Sequence, residues 1–424
     1  MTIKESKTIR INKLLIFSLV VVIIVLGFSL VIMAIGNAGE STTVGSVDAL
    51  ANSQDECVTC HRKDTPGIVD QYGYSAMAAA EVKCVDCHEV KPDYPGAVSH
   101  EGTYVLQSPT VIMCNKCHEE EVTQFLNSRH ALPAYVAYAG SDSLTARQLS
   151  EYKAISEGAF DPQKARNAIF ALEGPEITQF ACVSCHEIGK PALDGSTGEC
   201  QKCHLRHDFS LAQARKPETC NNCHIGPDHP QWEIYFESAH GIAYSTMGAS
   251  WNWDADPGTL TVKDFSAPTC STCHMSGFGR TTTSHDVGDR LTWFLAAQYS
   301  NRRPGWEANI KRMQDVCREC HNEVFIKDFY LSADNATEAI TARVKEADAI
   351  IQPLKDKKLL TSAPFDEPID FVYFENWHHW GRTAKFGVWM SGADYTQWHG
   401  AYEMLNSLAE LRSLTDEKLN QSNP

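Results

Sequence analysis

A mainly α chain, with no ordinary apolar core through its middle, is what three features of the sequence predict. The first is a pentapeptide, Cys-x-x-Cys-His, that occurs eight times between Cys57 and His321 and takes up all 16 cysteines of the 424-residue chain. The second is an apolar spacing of three to four residues in segments between and after these pentapeptides, the period of an amphipathic helix. The third is the scarcity of polar–apolar alternation, which a half-buried strand would show.

The pentapeptides are Cys57/Cys60/His61, Cys84/Cys87/His88, Cys114/Cys117/His118, Cys182/Cys185/His186, Cys200/Cys203/His204, Cys220/Cys223/His224, Cys270/Cys273/His274 and Cys317/Cys320/His321. Two thiols at this spacing, followed at once by an imidazole, form the attachment signature of c-type haem. The cysteines add to the vinyl groups and the histidine becomes the proximal iron ligand. Zinc sites also use Cys-x-x-Cys but do not demand a histidine directly after it. A disulfide scaffold has no reason for eight identical spacings. Eight covalently bound haem c groups on the 265 residues from Cys57 to His321 leave too little protein for a side-chain core around each. The haems are therefore expected to be much of the core, wrapped by the peptide, with folding and attachment inseparable. The first cysteines, at 57, 84, 114, 182, 200, 220, 270 and 317, follow no fixed period, so the chain is not a tandem array.

Lys4, Lys7, Arg10 and Lys13 precede 22 uncharged residues, Leu14 to Ile35. That run is long enough to span a bilayer, and its basic flank should stay cytoplasmic. A cleaved signal peptide is the competing reading. Both place the remainder outside the bacterial cytoplasmic membrane, in the periplasm or its equivalent. The expected organisation is a cytoplasmic terminus at 1–13, an anchor at 14–35, a small polar linker at 36–55, an octahaem domain at 56–330 and a C-terminal helical region at 331–424. The formal net charge of −16 argues against nucleic-acid binding. It suits a redox partner with a basic patch.

Helical spacing is expected at Ser143–Glu157, Asp161–Leu172 and Glu307–Cys317. Asn335–Leu360 reads as a helix interrupted at Pro353, and Leu405–Leu419 as another, so long helices should bundle at the C-terminus.

Nine of the 17 histidines lie outside the pentapeptides, nearly matching the number of irons. An electron-relay haem takes a second imidazole that closes the iron. His100, His130, His207, His240, His285, His378 and His399 are assigned to that role, with the choice among His378, His379 and His399 left open. His229 reads differently. Pro227 and Pro230 bracket Asp228-His229 and stiffen the backbone, and a rigid acid–imidazole pair suits proton acceptance. The alternative is that His229 is one more axial ligand.

The eight motifs, together with GPDHPQWE, TTSHDVGDRLTW (Thr282 to Trp293) and HHWGRTAKFGVWMSGADYTQWHGAYE (His378 to Glu403), resemble the octahaem hydroxylamine oxidoreductase family over roughly Cys57 to Glu403. That resemblance implies a mainly α fold, a homotrimer, seven relay haems closed by two histidines, and an open catalytic haem at Cys182/Cys185 with proximal His186. It places the distal acid–base pair on Asp228 and His229. In oxidising members a tyrosine bonds covalently to the catalytic haem of a neighbouring subunit. Here Tyr395 matches it, with Tyr402 as the second candidate. The implied reaction removes three electrons from hydroxylamine to give nitric oxide, or four with water to give nitrite. Hydrazine oxidation and the reverse reaction, reduction of nitrite or hydroxylamine, use the same site. A non-catalytic haem wire is the reading of another class. The anchor and compact domain depart from the best-known members and suggest a quinone-linked membrane complex or a c-type cytochrome as partner.

Overall fold

A computed structural model describes residues 48–156 and 161–422. The apolar run Leu14–Ile35, its basic flank and most of the expected linker lie outside the described residues. Among the described residues, no helix is long and apolar enough to cross a membrane. The last part of the expected linker is folded, not free: Ala49 N–H donates to the Gly73 carbonyl at 2.8 Å, and Arg62 donates to the Leu50 carbonyl at 2.9 Å. Asp55 then caps helix α1 (Glu56–Asp64), its carboxylate accepting from the Cys57 and Val58 N–H groups.

The attachment pentapeptides fold as single turns, among them α2 (Cys84–His88). The cause is local. The histidine N–H bonds back to the first cysteine's carbonyl, as in His118 to Cys114 (2.9 Å), His224 to Cys220 (3.0 Å) and His321 to Cys317 (2.8 Å). Residues i, i+3 and i+4 of such a turn share one face, so both thiols and the imidazole are presented together. One hairpin, β1 (Val98–His100) and β2 (Thr103–Val105), is antiparallel, with His100 opposite Thr103. Positive φ at Glu101 and Gly102 makes the tight turn.

Helices α3 (Leu132–Ala139) and α4 (Ala146–Ser156) meet over Leu132, Val136 and Tyr152. The expected helix at Asp161–Leu172 is much shorter, Ala168–Glu173, because the Asn167 side chain accepts from the Ile169 and Phe170 N–H groups and starts the helix there. Next come α5 (Cys182–His186), α6 (Gln231–Glu237), α7 (Ala239–Met247) and α8 (Cys270–His274). Between α7 and α8 an aromatic cluster of Trp251, Trp253, Phe265 and Phe278 closes a local core. Helix α9 (Trp306–Cys317) runs into the last attachment turn.

The C-terminal part is built on long helices. Helix α10 (Glu323–Asp356) is 34 residues long and crosses the boundary expected at residue 330. It is not interrupted at Pro353 but runs on to Asp356, since a proline in the last turn removes only one hydrogen bond near a helix end. Its buried positions Ile340, Val344, Ala347, Ile351 and Leu354 alternate by three and four and form one stripe. That stripe packs on Ile369 of α11 (Pro368–Glu375), Ala384 of α12 (Gly381–Met390), and Met404, Leu408 and Leu411 of α13 (Tyr402–Gln421). Two π-helical turns, Asn376–Trp380 and Gln397–Ala401, flank α12 and carry His378, His379 and His399. Gly400 lets the second turn sit on α12. A Cβ there would lie 2.7 Å from the Ala384 Cα.

Candidate haem and distal site

Five of the proximal histidines face a second imidazole. The ring centroids are 5.9 Å apart for His61 and His100, and 6.4 Å for His88 and His207. They are 6.0 Å apart for His224 and His130, 6.4 Å for His204 and His285, and 6.1 Å for His321 and His240. Two metal–imidazole bonds of about 2 Å end to end, with the half-widths of two rings, require about 6 Å. The pairs thus have the spacing that an iron between them needs. No disulfide joins any of the 16 cysteines. The donor set, two thiols and one imidazole on each turn, fits haem c, and the five ring pairs fit a closed iron. At that spacing, among the described residues, the rings of His118, His186 and His274 have no other imidazole.

The thiols order the eight turns in space. Cys57 lies near Cys84, Cys87 near Cys114, Cys203 near Cys220 and Cys273 near Cys317. Closer still, Cys114 faces Cys200 and Cys220 faces Cys270. The attachment turns therefore form a line, first, second, third, fifth, sixth, seventh, eighth. The fourth branches from the sixth, where Cys185 faces Cys223. The jump from third to fifth could not be read from chain order.

Three thiols differ from the rest in their exposure. Cys60, Cys117 and Cys320 are exposed, whereas their partners Cys57, Cys114 and Cys317 are partly buried. The reason lies in the line of turns. The first, third and eighth turns meet their neighbours through the first cysteine, as in Cys57 with Cys84, Cys114 with Cys200 and Cys317 with Cys273. Cys60 lies 3.7 Å from the Asp64 carboxylate, one helical turn along α1. The i, i+3 spacing that pairs the two thiols is kept, so what changes is their cover by protein and not their placement for attachment.

The branch point is also where the acidic pair sits. His186 of α5 donates its Nδ1–H to the Ala134 carbonyl at 2.8 Å, which fixes its ring. Burial holds its basicity below the usual range, although that hydrogen bond opposes it, and His229, Asp228 and Arg382 are its charged neighbours. The segment carrying Asp228 is tied at both ends. Thr383, buried on α12, donates to the Pro227 carbonyl at 2.8 Å, and Trp232 N–H donates to the His224 carbonyl at 3.1 Å. Asp228 Oδ2 lies 2.8 Å from His229 Nδ1, 3.6 Å from an Arg382 nitrogen and 3.8 Å from His378 Nδ1. Burial alone would raise its pKa. The His229 hydrogen bond, then the charges of His229, His378 and Arg382, overcome that and hold the carboxyl well below the usual range.

His378 stacks on Phe374 (4.2 Å), its Nδ1 is buried without a hydrogen-bond partner, and burial with Arg382 pushes its pKa down to about 2. His379 shares this neighbourhood of Asp228 and Arg382. His399 pairs with Asp394 at 3.0 Å and stacks on Tyr395 at 4.7 Å. Tyr395, with Glu233, Glu237 and Asp394 as its charged neighbours, donates its backbone N–H to Glu237. Tyr402 meets Trp398 at the surface, the rings tilted at 57° with centroids 5.4 Å apart.

Arg382 and Lys385 were not singled out by sequence. Arg382 follows His378 by four residues, a spacing that puts both on one helix face, and both reach Asp228. Arg382 Nε also donates to the Ala296 carbonyl at 2.8 Å. Lys385, fully buried, donates to the Ala297 carbonyl and the Ser300 hydroxyl, each at 3.0 Å. Two cations of α12 thus clamp the loop 296–300 beside the site.

The chain is similar to known multihaem proteins. Over 364 residues it is 26% identical to a probable nitrite reductase–hydroxylamine oxidoreductase fusion protein of Kuenenia stuttgartiensis, covering 74% of this chain and 39% of that relative. It thus spans about two fifths of that relative's length. Its fold is that of a solved hypothetical multiheme protein (TM-score 0.73, 19% identity, 90% of this chain and 99% of the other). A reducing HAO-like protein complex of Kuenenia stuttgartiensis has the same fold (TM-score 0.63, 19% identity, 89% and 88% covered). A family model described as seven times multi-haem cytochrome CxxCH matches residues 80–368, which hold seven of the eight motifs, the Cys57 motif lying outside. With eight such attachment turns in place and most of its length matched, the chain belongs to the multihaem CxxCH cytochrome family.

Proposed function

We propose that the protein is a membrane-anchored octahaem cytochrome of the periplasmic face that oxidises hydroxylamine above His186. Its electrons would pass to a c-type cytochrome or a quinone-linked membrane complex. The observation that carries this reading is the surroundings of His186: an acid–imidazole pair and a guanidinium, in place of the facing imidazole found at five other turns. Cys182, Cys185 and His186 would hold the haem, which would supply the redox chemistry and take up the electrons of the substrate.

The chain's own groups handle protons. The His229 hydrogen bond, with His378 and Arg382 beside it, holds Asp228 ionised. Asp228 accepts from His229 Nδ1, which leaves Nε2 as the free base. Loss of three electrons and three protons from hydroxylamine gives nitric oxide. Addition of water with loss of a fourth electron and a fourth proton gives nitrous acid. His229 takes each proton and the Asp228 carboxylate stabilises the imidazolium that results. Rigid prolines on both sides keep the pair aimed. Hydrazine offers the same N–H bonds to this base.

The reading counts seven irons closed by two imidazoles. Five are the ring pairs above; the other two, at His118 and His274, would need an imidazole that no described residue places at that spacing, and His378, His379 and His399 stay unassigned. The resting spectrum tests the count, and one high-spin iron with hydroxylamine-dependent reduction is expected. Low-spin signatures at all eight irons would leave only an electron conductor. His229→Ala should cut turnover by about 10²-fold or more with eight haems still attached. Loss of a low-spin signal instead would make His229 a ligand.

The reverse reaction, reduction of nitrite or hydroxylamine, is favoured by the reducing relative's likeness and by Arg382, whose charge suits an anion. The Tyr395 cross-link separates the directions. Tyr395 lies among Glu233, Glu237 and Asp394, and the family resemblance puts its bond on the catalytic haem of a neighbouring subunit, which a homotrimer would supply. Mass spectrometry of the haem peptide should show a tyrosine adduct in the oxidising case and none in the reducing one.

A further inference from the structure

Away from Asp228, the loop after the seventh attachment turn and the end of α9 enclose a cavity of about 510 Å³, open on one side. Four guanidinium groups line it: Arg280, Arg290, Arg312 and Arg318. Local carboxylates account for two of them. Arg318 pairs with Asp315 at 2.6 Å and with Glu323, and Arg280 pairs with Glu319 at 3.6 Å. The other two share one carboxylate. Asp289 lies 2.9 Å from Arg312 and 4.0 Å from Arg290.

Arg290 is the unusual member. Its side chain is 2% exposed. Its terminal nitrogens donate to the carbonyls of His274 (3.1 Å) and Thr282 (2.8 Å), and its Nε is buried with no hydrogen-bond partner. A guanidinium taken out of water needs both a counter-charge and partners for its N–H groups. Two neutral carbonyls, Asp289 at 4.0 Å and Asp286 beyond it leave the Nε without a partner. The wall of this cavity carries four guanidinium groups, and the most deeply buried of them has a donor left over.

We propose that the cavity is an anion site, in which a carboxylate or small oxyanion bridges Arg290 and Arg312. Two sources offer that chemistry: a propionate of haem attached at Cys270 and Cys273, and a free inorganic oxyanion. In either case the anion sits against the turn that presents His274, because Arg290 holds that turn's carbonyl. Charge at this site therefore acts on the seventh and eighth attachment turns, which lie side by side through Cys273 and Cys317. The proposal stands apart from the hydroxylamine reading.

Two measurements on the haem-loaded protein test it, each made on wild type, Arg290→Gln and Arg312→Gln, with attached haem counted first. Arg312→Gln keeps the test open should Arg290→Gln fail to fold. Calorimetry with inorganic phosphate at low salt reads a free-anion site. Wild type should bind one phosphate, and the variants should bind tenfold or more weakly. A spectroelectrochemical titration reads a propionate. Wild type should take up no phosphate, and the midpoint of one haem component should fall in the variants, since a cation lost beside a propionate disfavours the added electron. If neither phosphate binding nor any midpoint differs between wild type and Arg312→Gln, the cavity is not an anion site.

Discussion

Between Glu56 and His321 the helices are short and buried apolar groups gather in small patches, such as the tryptophans near α8 or the three residues joining α3 to α4. Between Glu323 and Gln421 a 34-residue helix lays one apolar stripe against three neighbours. The first region holds every attachment turn and most of the imidazole pairs. The second contributes the cations and histidines around Asp228. The two regions bury different things. In the haem-binding part, thiols and imidazoles face places that haem fills. In the C-terminal part, leucine, isoleucine and valine fill the space themselves. A site joining Asp228 of one to Arg382 of the other is thus mounted on a rigid helix face while opening onto the cofactor side.

Variants can break or sharpen this contrast. The largest effect is expected from Cys220→Ala with Cys223→Ala, which removes attachment at the turn nearest three others. Folding of the first region depends on filling those spaces, so haem-stained protein should fail to accumulate. Normal yield with seven haems would show that the region holds itself. Leu411→Ala, in the fully packed second region, should cost about 2–5 kcal/mol and lower the melting temperature without changing haem content.

Lys385 comes next. Burial, and then Arg382, push its pKa down from 10.5 to about 7. Between pH 7 and 10.5 the unfolded chain binds this proton and the folded chain does not. Stability from this group therefore rises with pH across that window and is reduced below it. Lys385→Met should flatten the slope, changing the difference between pH 7 and pH 10 by about 1 kcal/mol or more. Denaturant unfolding at several pH values checks it. An unchanged slope would mean the ammonium is neutralised by a partner. The smallest effect is expected at the surface pair Arg412–Glu346, where Arg412 is 52% exposed. Arg412→Ala should cost under about 1 kcal/mol.

How much of this was legible beforehand varies by residue. The attachment turns were legible in full, because i, i+3 and i+4 spacing is a local property. Their cover was not: nothing in the pentapeptide says that Cys60, Cys117 and Cys320 end at the surface while Cys203 and Cys273 do not. The pair Asp228–His229 was legible as a stiff acid–imidazole unit between prolines. Its third partner, Arg382, lies 154 residues later and could be found only through its spacing from His378. The expected break at Pro353 failed because a proline's effect depends on how near the helix end it falls. The helix expected from Asp161 failed because a single asparagine cap moved its start to Ala168. His378 and His399 lie on π turns, where ordinary helical spacing misplaces side chains.

The sequence by itself determined which atoms can bond to haem and that they come in eight sets, since a pentapeptide carries its own geometry. Only the tertiary structure decided the order of those sets in space, with the third beside the fifth and the fourth beside the sixth. It also decided which distant histidine faces which turn, and that His186 faces an acid and its partners instead. Such choices rest on contacts between residues far apart in the chain, and no local spacing encodes them.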